Sequence, residues 1–215
     1  MSTPQSNKKD QAYQFIKQAI ISGDLVSGNI YSLNDLSDMI KISSTPTREA
    51  LLVLECEGMI DPIPRTGYMV TPITISDVLE LFHLRKVLEI EGIRLAVDHI
   101  TKEDINFLEK NNQLESQLSK DTDQNENNED YIHAYRLNTE FHLRIAHRSG
   151  NFRLEDLIKE ILTEMERISA RDPFIAYPEQ HVAIIKALKD HDSDAAIIAM
   201  KEHLENTKSR LLERF

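Results

Sequence analysis

Three histidines occupy positions from which imidazoles on separate helices can meet. His142 follows Asn138 by four residues, so the two side chains share one face of a helix. His181 and His203 each follow a polar residue inside helical stretches with apolar positions around them, EQHVAIIKAL and KEHLENTKSRLL. Imidazole nitrogens converging inside a helical bundle suit zinc, nickel or manganese. A helical histidine is equally at home at the surface or as a satisfied core residue. Spacing leaves both readings open for these three. His83, His99, His133, His147 and His191 are assigned to the ordinary role.

A second chemistry sits in IKISSTPTREALLVLECEG, residues 40–58. Small hydroxyl residues run into Arg48 at the start of a short helix. Ser44, Thr45 and Thr47 can reach phosphates or base edges from such a position, and Arg48 can pair with O6 and N7 of guanine. The same hydroxyls also suit a well-capped helix packed for stability alone, with Pro46 tolerated in its first turn.

The elements around these residues follow from apolar periodicity. Tyr13, Ile16, Ala19 and Ile20 mark one face of a first helix ending near Gly23. Leu33, Leu36, Met39 and Ile40 stripe a second. A third begins within 43–45 and stops at Gly58. Ile60 and Ile63, then Tyr68 and Val70, flank Arg65-Thr66-Gly67. Pro62 and Pro64 rule out a central strand, so an edge hairpin is expected there, with Arg65 able to lie against a nucleic-acid backbone or minor groove. Helix, helix-turn-helix and a two-stranded hairpin make a winged helix-turn-helix over residues 1–71. Residues 71–76 read as a linker. Beyond it only helical periodicity is visible, over about 76–99, 101–119, 130–148, 151–171, 177–190 and 193–213, with Thr101 and Asn151 as caps. Residues 120–130 read as a polar connection. The expected fold class is mainly α, the second domain (76–215) being an all-α antiparallel helical bundle.

A chain of 215 residues with 40% hydrophobic content can bury a core in each of two modest domains. No apolar run approaches a membrane span, and residues 1–9 read as a polar leader. Cys56 is the only cysteine, which forbids an internal disulfide and suits a reducing cytoplasm. The net charge of −11 argues against non-specific adhesion to nucleic acid. It is unevenly spread: six basic against eight acidic side chains leave the first 71 residues at −2, and the remainder holds −9.

Residues 11–71 resemble the DNA-binding domain of the GntR superfamily of bacterial transcription regulators, most specifically in TPTREALLVLECEG and PRTGYMVTP. That resemblance implies operator contacts by Thr45, Thr47, Arg48, Thr66 and Gly67. Ser44 stands where the family usually has arginine, and Asn34 where some members have a DNA-contacting arginine. Residues 76–213 resemble the helical FCD effector domain, through DVLELFHLRKVLE, NTEFHLRIAHRSGN, EQHVAIIKAL and KEHL. The resemblance implies a divalent metal held by Asn138, His142, His181 and His203. Asn138 replaces a common aspartate; its neutral amide oxygen is a weaker ligand and leaves the site one charge more positive. The resemblance also places Arg85 in an effector pocket, where its guanidinium can grip a small carboxylate. A helical ion pair with Glu89 is the competing role for Arg85.

Enzyme chemistry has little to stand on. Glu80-x-x-His83 has no second copy to build a di-iron site, and no His-Glu-x-x-His, phosphate-binding glycine loop or Gly-x-Ser-x-Gly is present. A helical protein-interaction module is the other alternative. The expectation is a cytoplasmic, homodimeric, ligand-responsive regulator that binds a two-fold symmetric double-stranded operator, with no membrane partner.

Overall fold

The polypeptide divides into two units, Met1–Ile73 and Thr74–Phe215. The computed structural model describes residues 7–122, 128–169 and 178–213; the side chains of 119–122, 128–132, 167, 169, 178 and 179 lie outside that description. The polar leader falls mostly on residues outside it, as does the middle of the polar connection at 120–130.

In the first unit, α1 (Lys8–Ser22) buries Ala12, Ile16, Ala19 and Ile20. Gly23 ends it at φ 83°, donating its N–H to the Ile20 carbonyl, a left-handed cap that favours glycine. A two-residue strand β1 (Ile30–Tyr31) leads to Ser32. Ser32 and Asp35 form a reciprocal capping box for α2 (Leu33–Ile40). Lys41, at φ 54°, turns the chain into α3 (Ser44–Cys56). Then come β2 (Ile60–Ile63) and β3 (Gly67–Val70). Ile16, Leu36, Leu51, Leu54, Met59 and Val70 close the core between these elements. Each fully enclosed Leu or Ile contributes about 1.5–3 kcal/mol.

The expected two-stranded hairpin forms from β2 and β3, and a third strand joins it. β1 pairs antiparallel with β3, Ile30 facing Met69 and Tyr31 facing Tyr68, so β3 is the central strand of a three-stranded sheet. β2 is an edge, as Pro62 requires. Gly67 permits the third strand: a Cβ there would lie 2.3 Å from the Tyr31 carbonyl oxygen.

The described elements of the second unit are all helices: α4 (Ile75–Ala96), α5 (Lys102–Thr122), α6 (Asn128–Arg148), α7 (Phe152–Ser169), α8 (Pro178–Lys189) and α9 (Ser193–Leu212). Thr101 Oγ1 accepts from the Asp104 amide and Asn151 Oδ1 from that of Leu154, so both expected caps form. α4 packs on α9, α6 and α7; α5 lies on α6 and α8; α8 packs on α9. Ile93, Leu108, Phe141, Ile184, Leu188 and Leu204 fill the interior. Into this interior five helices also bring polar side chains: Arg85 and Glu89 from α4, Asn111 and Glu115 from α5, Asn138 and His142 from α6, His181 from α8 and His203 from α9.

Candidate nucleic-acid interface and candidate metal centre

The turn at Lys41 and the β2–β3 hairpin each present part of a polar surface. Ser44, Thr45 and Arg48 are exposed on the first turns of α3, and Ser43, its N-cap, makes no side-chain bond to the helix. The opening amides of α3 are therefore not capped by the Ser43 hydroxyl, the arrangement that suits a phosphate oxygen. Arg65 and Thr66 are exposed at the hairpin tip, Arg65 at φ 65° and Thr66 Oγ1 donating to the Pro64 carbonyl at 3.3 Å. Gly67 is half-buried.

Thr47 requires a correction. It is 0% exposed, and its hydroxyl donates to the Ser43 carbonyl at 3.0 Å, with the Ile42 carbonyl at 3.4 Å. It locks the turn of the helix-turn-helix from within and does not reach the outer face. A threonine inside a helix can turn its hydroxyl back to the carbonyl four residues earlier, and here it does.

In the second unit, Asn138, His142, His181 and His203 are all buried. One donor atom of each imidazole lies within 4.8 Å of the others. Ring centroids are 5.5 Å apart for His142 and His181, 5.1 Å for His142 and His203, and 4.7 Å for His181 and His203. Phe141 stacks on His181 at 4.0 Å and fixes that ring's plane.

Carboxylates settle which nitrogens are left free to ligate. His142 Nδ1 lies 2.5 Å from Glu89 Oε2, although the two are not aligned as a hydrogen bond. Two bare lone pairs cannot sit that close, so Nδ1 carries the proton and Nε2 keeps its lone pair. His181 Nδ1 donates to Glu115 Oε2 at 3.2 Å, which frees its Nε2 in the same way. His181 Nε2, His203 Nδ1 and Asn138 Oδ1 are enclosed without a hydrogen-bond partner. The three imidazoles converge, Asn138 shares a helix face with His142, and unpartnered buried acceptors are what a divalent cation satisfies. The residues present therefore fit a metal ion.

Electrostatics favour the same outcome. Burial pushes the His203 imidazole well below its ordinary value, and the neighbouring His181, His142 and Arg85 push it the same way. Burial also lowers His142, against the opposing pull of Glu89. Both rings are neutral at pH 7 and ready to ligate without shedding a proton. Burial alone would raise the Glu89 carboxyl, but Arg85 and His142 outweigh it and hold the group at about 2.

Arg85 makes the helical ion pair considered for it. Its Nε donates to Glu89 Oε1 at 2.6 Å, the helical ion pair. Its Nη2 lies 3.4 Å from His142 Nε2 and its Nη1 3.6 Å from the Met165 sulfur, both weak partners. The Nη edge thus faces the imidazole cage with donor capacity in hand.

Two buried residues here lay beyond the sequence reading: Glu115 and Asn111. Their spacing offered only a weak signal. Leu108, Asn111 and Glu115 form a helical stripe in which polar residues take inward positions.

Comparison with known proteins agrees with this architecture. Residues 8–70 match the model for bacterial regulatory proteins of the gntR family, and residues 80–206 match the FCD domain. The Nta operon transcriptional regulator of Aminobacter aminovorans is 29% identical over 186 residues, covering 83% of this chain and 82% of that protein. The uncharacterized HTH-type transcriptional regulator YdhC of Bacillus subtilis is 28% identical over 151 residues, 70% of this chain and 65% of that protein. Among solved structures, that of E. coli McbR/YncC superposes with a TM-score of 0.76 at 22% identity, over 97% of this chain and 98% of that one, a likeness of fold. Among the described residues no helix is long and apolar enough to cross a membrane. The chain belongs to the gntR family of bacterial regulatory proteins, and it is a DNA-binding transcriptional regulator with an FCD effector domain rather than an enzyme.

Proposed function

We propose that this regulator works in the cytoplasm as a homodimer that reads a two-fold symmetric operator and answers to a small carboxylate bound at a metal centre. The observation that carries this reading is the set of enclosed, unpartnered donors: Asn138 Oδ1, His181 Nε2 and His203 Nδ1, beside His142. A divalent ion held by these four residues would offer positive charge to a carboxylate oxygen. Arg85 would orient the anion through its Nη edge, and Glu89 would hold Arg85 in place. On the DNA side, Arg48 would read a guanine, Ser44 and Thr45 would reach phosphate or base edges, and Arg65, Thr66 and Gly67 would lie along the backbone or minor groove. Support for the dimer comes from α4, which leaves Ile75, Leu79, Leu84 and Val87 exposed among polar residues, apolar side chains that a second copy would cover. An effector changes operator affinity only if it binds the DNA-competent and incompetent arrangements unequally.

The test is the double variant His142→Ala with His181→Ala. Its expected phenotype is a folded dimer without stoichiometric metal and without response to small carboxylates in an operator-binding titration. A variant that keeps its metal would remove these residues from the site.

A further inference from the structure

Glu115 is the least expected residue in the helical interior. It projects from α5, 0% exposed, with Oε2 on His181 Nδ1 at 3.2 Å and Oε1 enclosed without a partner. One turn earlier, Asn111 is 3% exposed and neither amide atom has a partner. Among the described residues no lysine or arginine pairs with Glu115. Glu89 offers the contrast: equally enclosed, it is matched by Arg85 at 2.6 Å. A carboxylate withdrawn from water requires a counter-charge.

The cage has the opposite imbalance. Its prospective ligands are three imidazoles and one amide oxygen, all neutral, and a divalent cation among them would meet no ligand charge. Glu89 is already engaged by Arg85. Glu115 contacts His181 at Nδ1 and leaves the unpartnered Nε2 as that ring's free ligand atom.

We infer that Glu115 is the positioning and charge-balancing residue of the metal centre: it fixes His181 with Nε2 free to ligate and answers, through that ring, the charge of the bound cation. The inference rests on the metal reading above. Carboxylates that accept from a ligating histidine raise its basicity, and losing one weakens metal affinity by about 10–100-fold.

Zinc affinity of the full-length protein, measured by competition with a chromophoric chelator, tests this in wild type, Glu115→Gln, Asn138→Asp and the double variant. Glutamine keeps the acceptor for His181 Nδ1 and removes the charge. The expected result is about 10–100-fold weaker zinc binding in Glu115→Gln, largely restored when Asn138→Asp returns an anion to the site. Thermal melts of the metal-free proteins give a second readout. Glu115→Gln relieves an unmatched buried charge, so its metal-free form should melt at or above the wild-type temperature. Unchanged zinc affinity in Glu115→Gln would overturn the inference. So would loss without rescue by Asn138→Asp, or a metal-free variant that melts lower or fails to fold, since each marks a merely structural glutamate. Failure of wild type to bind zinc or any other divalent ion would instead strike the metal reading itself.

Discussion

Replacing Arg85 with methionine isolates the charge balance on which the helical interior depends. Arg85 and Glu89 are 3% exposed and 2.6 Å apart. Methionine keeps much of the side-chain volume and removes the cation. The Glu89 carboxyl moves from its ordinary 4.5 to about 2 in the fold: burial works against this, and the charge of Arg85 is the largest single opposing influence, followed by that of His142. A displacement of that size corresponds to about 3 kcal/mol of native-state preference for the ionised form. Breaking a buried pair by removing one partner costs about 3–5 kcal/mol. Since His142 supplies part of the pull, Arg85→Met should lower the stability of the metal-free protein by about 2–4 kcal/mol at pH 7. Urea unfolding followed by far-UV circular dichroism measures it. The pH dependence supplies a second check. A depressed carboxyl contributes its full stability above the unfolded value of about 4.5 and loses it as pH falls toward 2. The gap between wild type and variant should therefore narrow across that window. The lowered imidazoles of His142 and His203 act in a different window: their contribution is whole above about 6.5 and declines below it as the unfolded chain takes up protons. A loss under about 1 kcal/mol at pH 7, or a gap that stays constant in acid, would refute the argument that Arg85 offsets a buried anion.

Arg48→Ala should cost about 1–3 kcal/mol in specific operator binding, read by fluorescence anisotropy, and relax preference at one base pair; unchanged affinity would remove Arg48 from the groove. With Ser44 in a position the family usually gives to arginine, few phosphates are neutralised, and a plot of log affinity against log salt should be shallow; a slope near −10, typical of a strongly phosphate-bound repressor, would contradict this. Gly67→Ala drives a Cβ to 2.3 Å from the Tyr31 carbonyl oxygen, so β1 must part from β3. A stability loss of about 1–3 kcal/mol, with weakened operator binding, is expected in thermal melts and binding titrations; a wild-type melting temperature would show that β1 is dispensable.

The long helices were legible because their apolar periodicity repeats over many turns; the expected 193–213 became Ser193–Leu212, and 130–148 became Asn128–Arg148. β1 was not legible. Two residues, Ile30 and Tyr31, show no period, and they become a strand only by pairing with Tyr68 and Met69, far along the chain. Thr47 read as an outward hydroxyl because its neighbours Ser44 and Thr45 are polar; its burial depends on how α2 and α3 meet, which local pattern does not encode. His142, His181 and His203 were visible as candidates, but spacing within one helix cannot report convergence between three. Glu115 escaped notice because a glutamate on a polar helix such as α5 ordinarily faces water, and only tertiary packing turns it toward His181.

Native mass spectrometry of the purified protein, before and after chelation, bears most directly on the metal cage. The account predicts a dimer whose mass includes one divalent ion per chain, released by the chelator and retaken from a divalent salt. An identical mass before and after chelation, with no uptake on adding zinc, nickel or manganese, would contradict it.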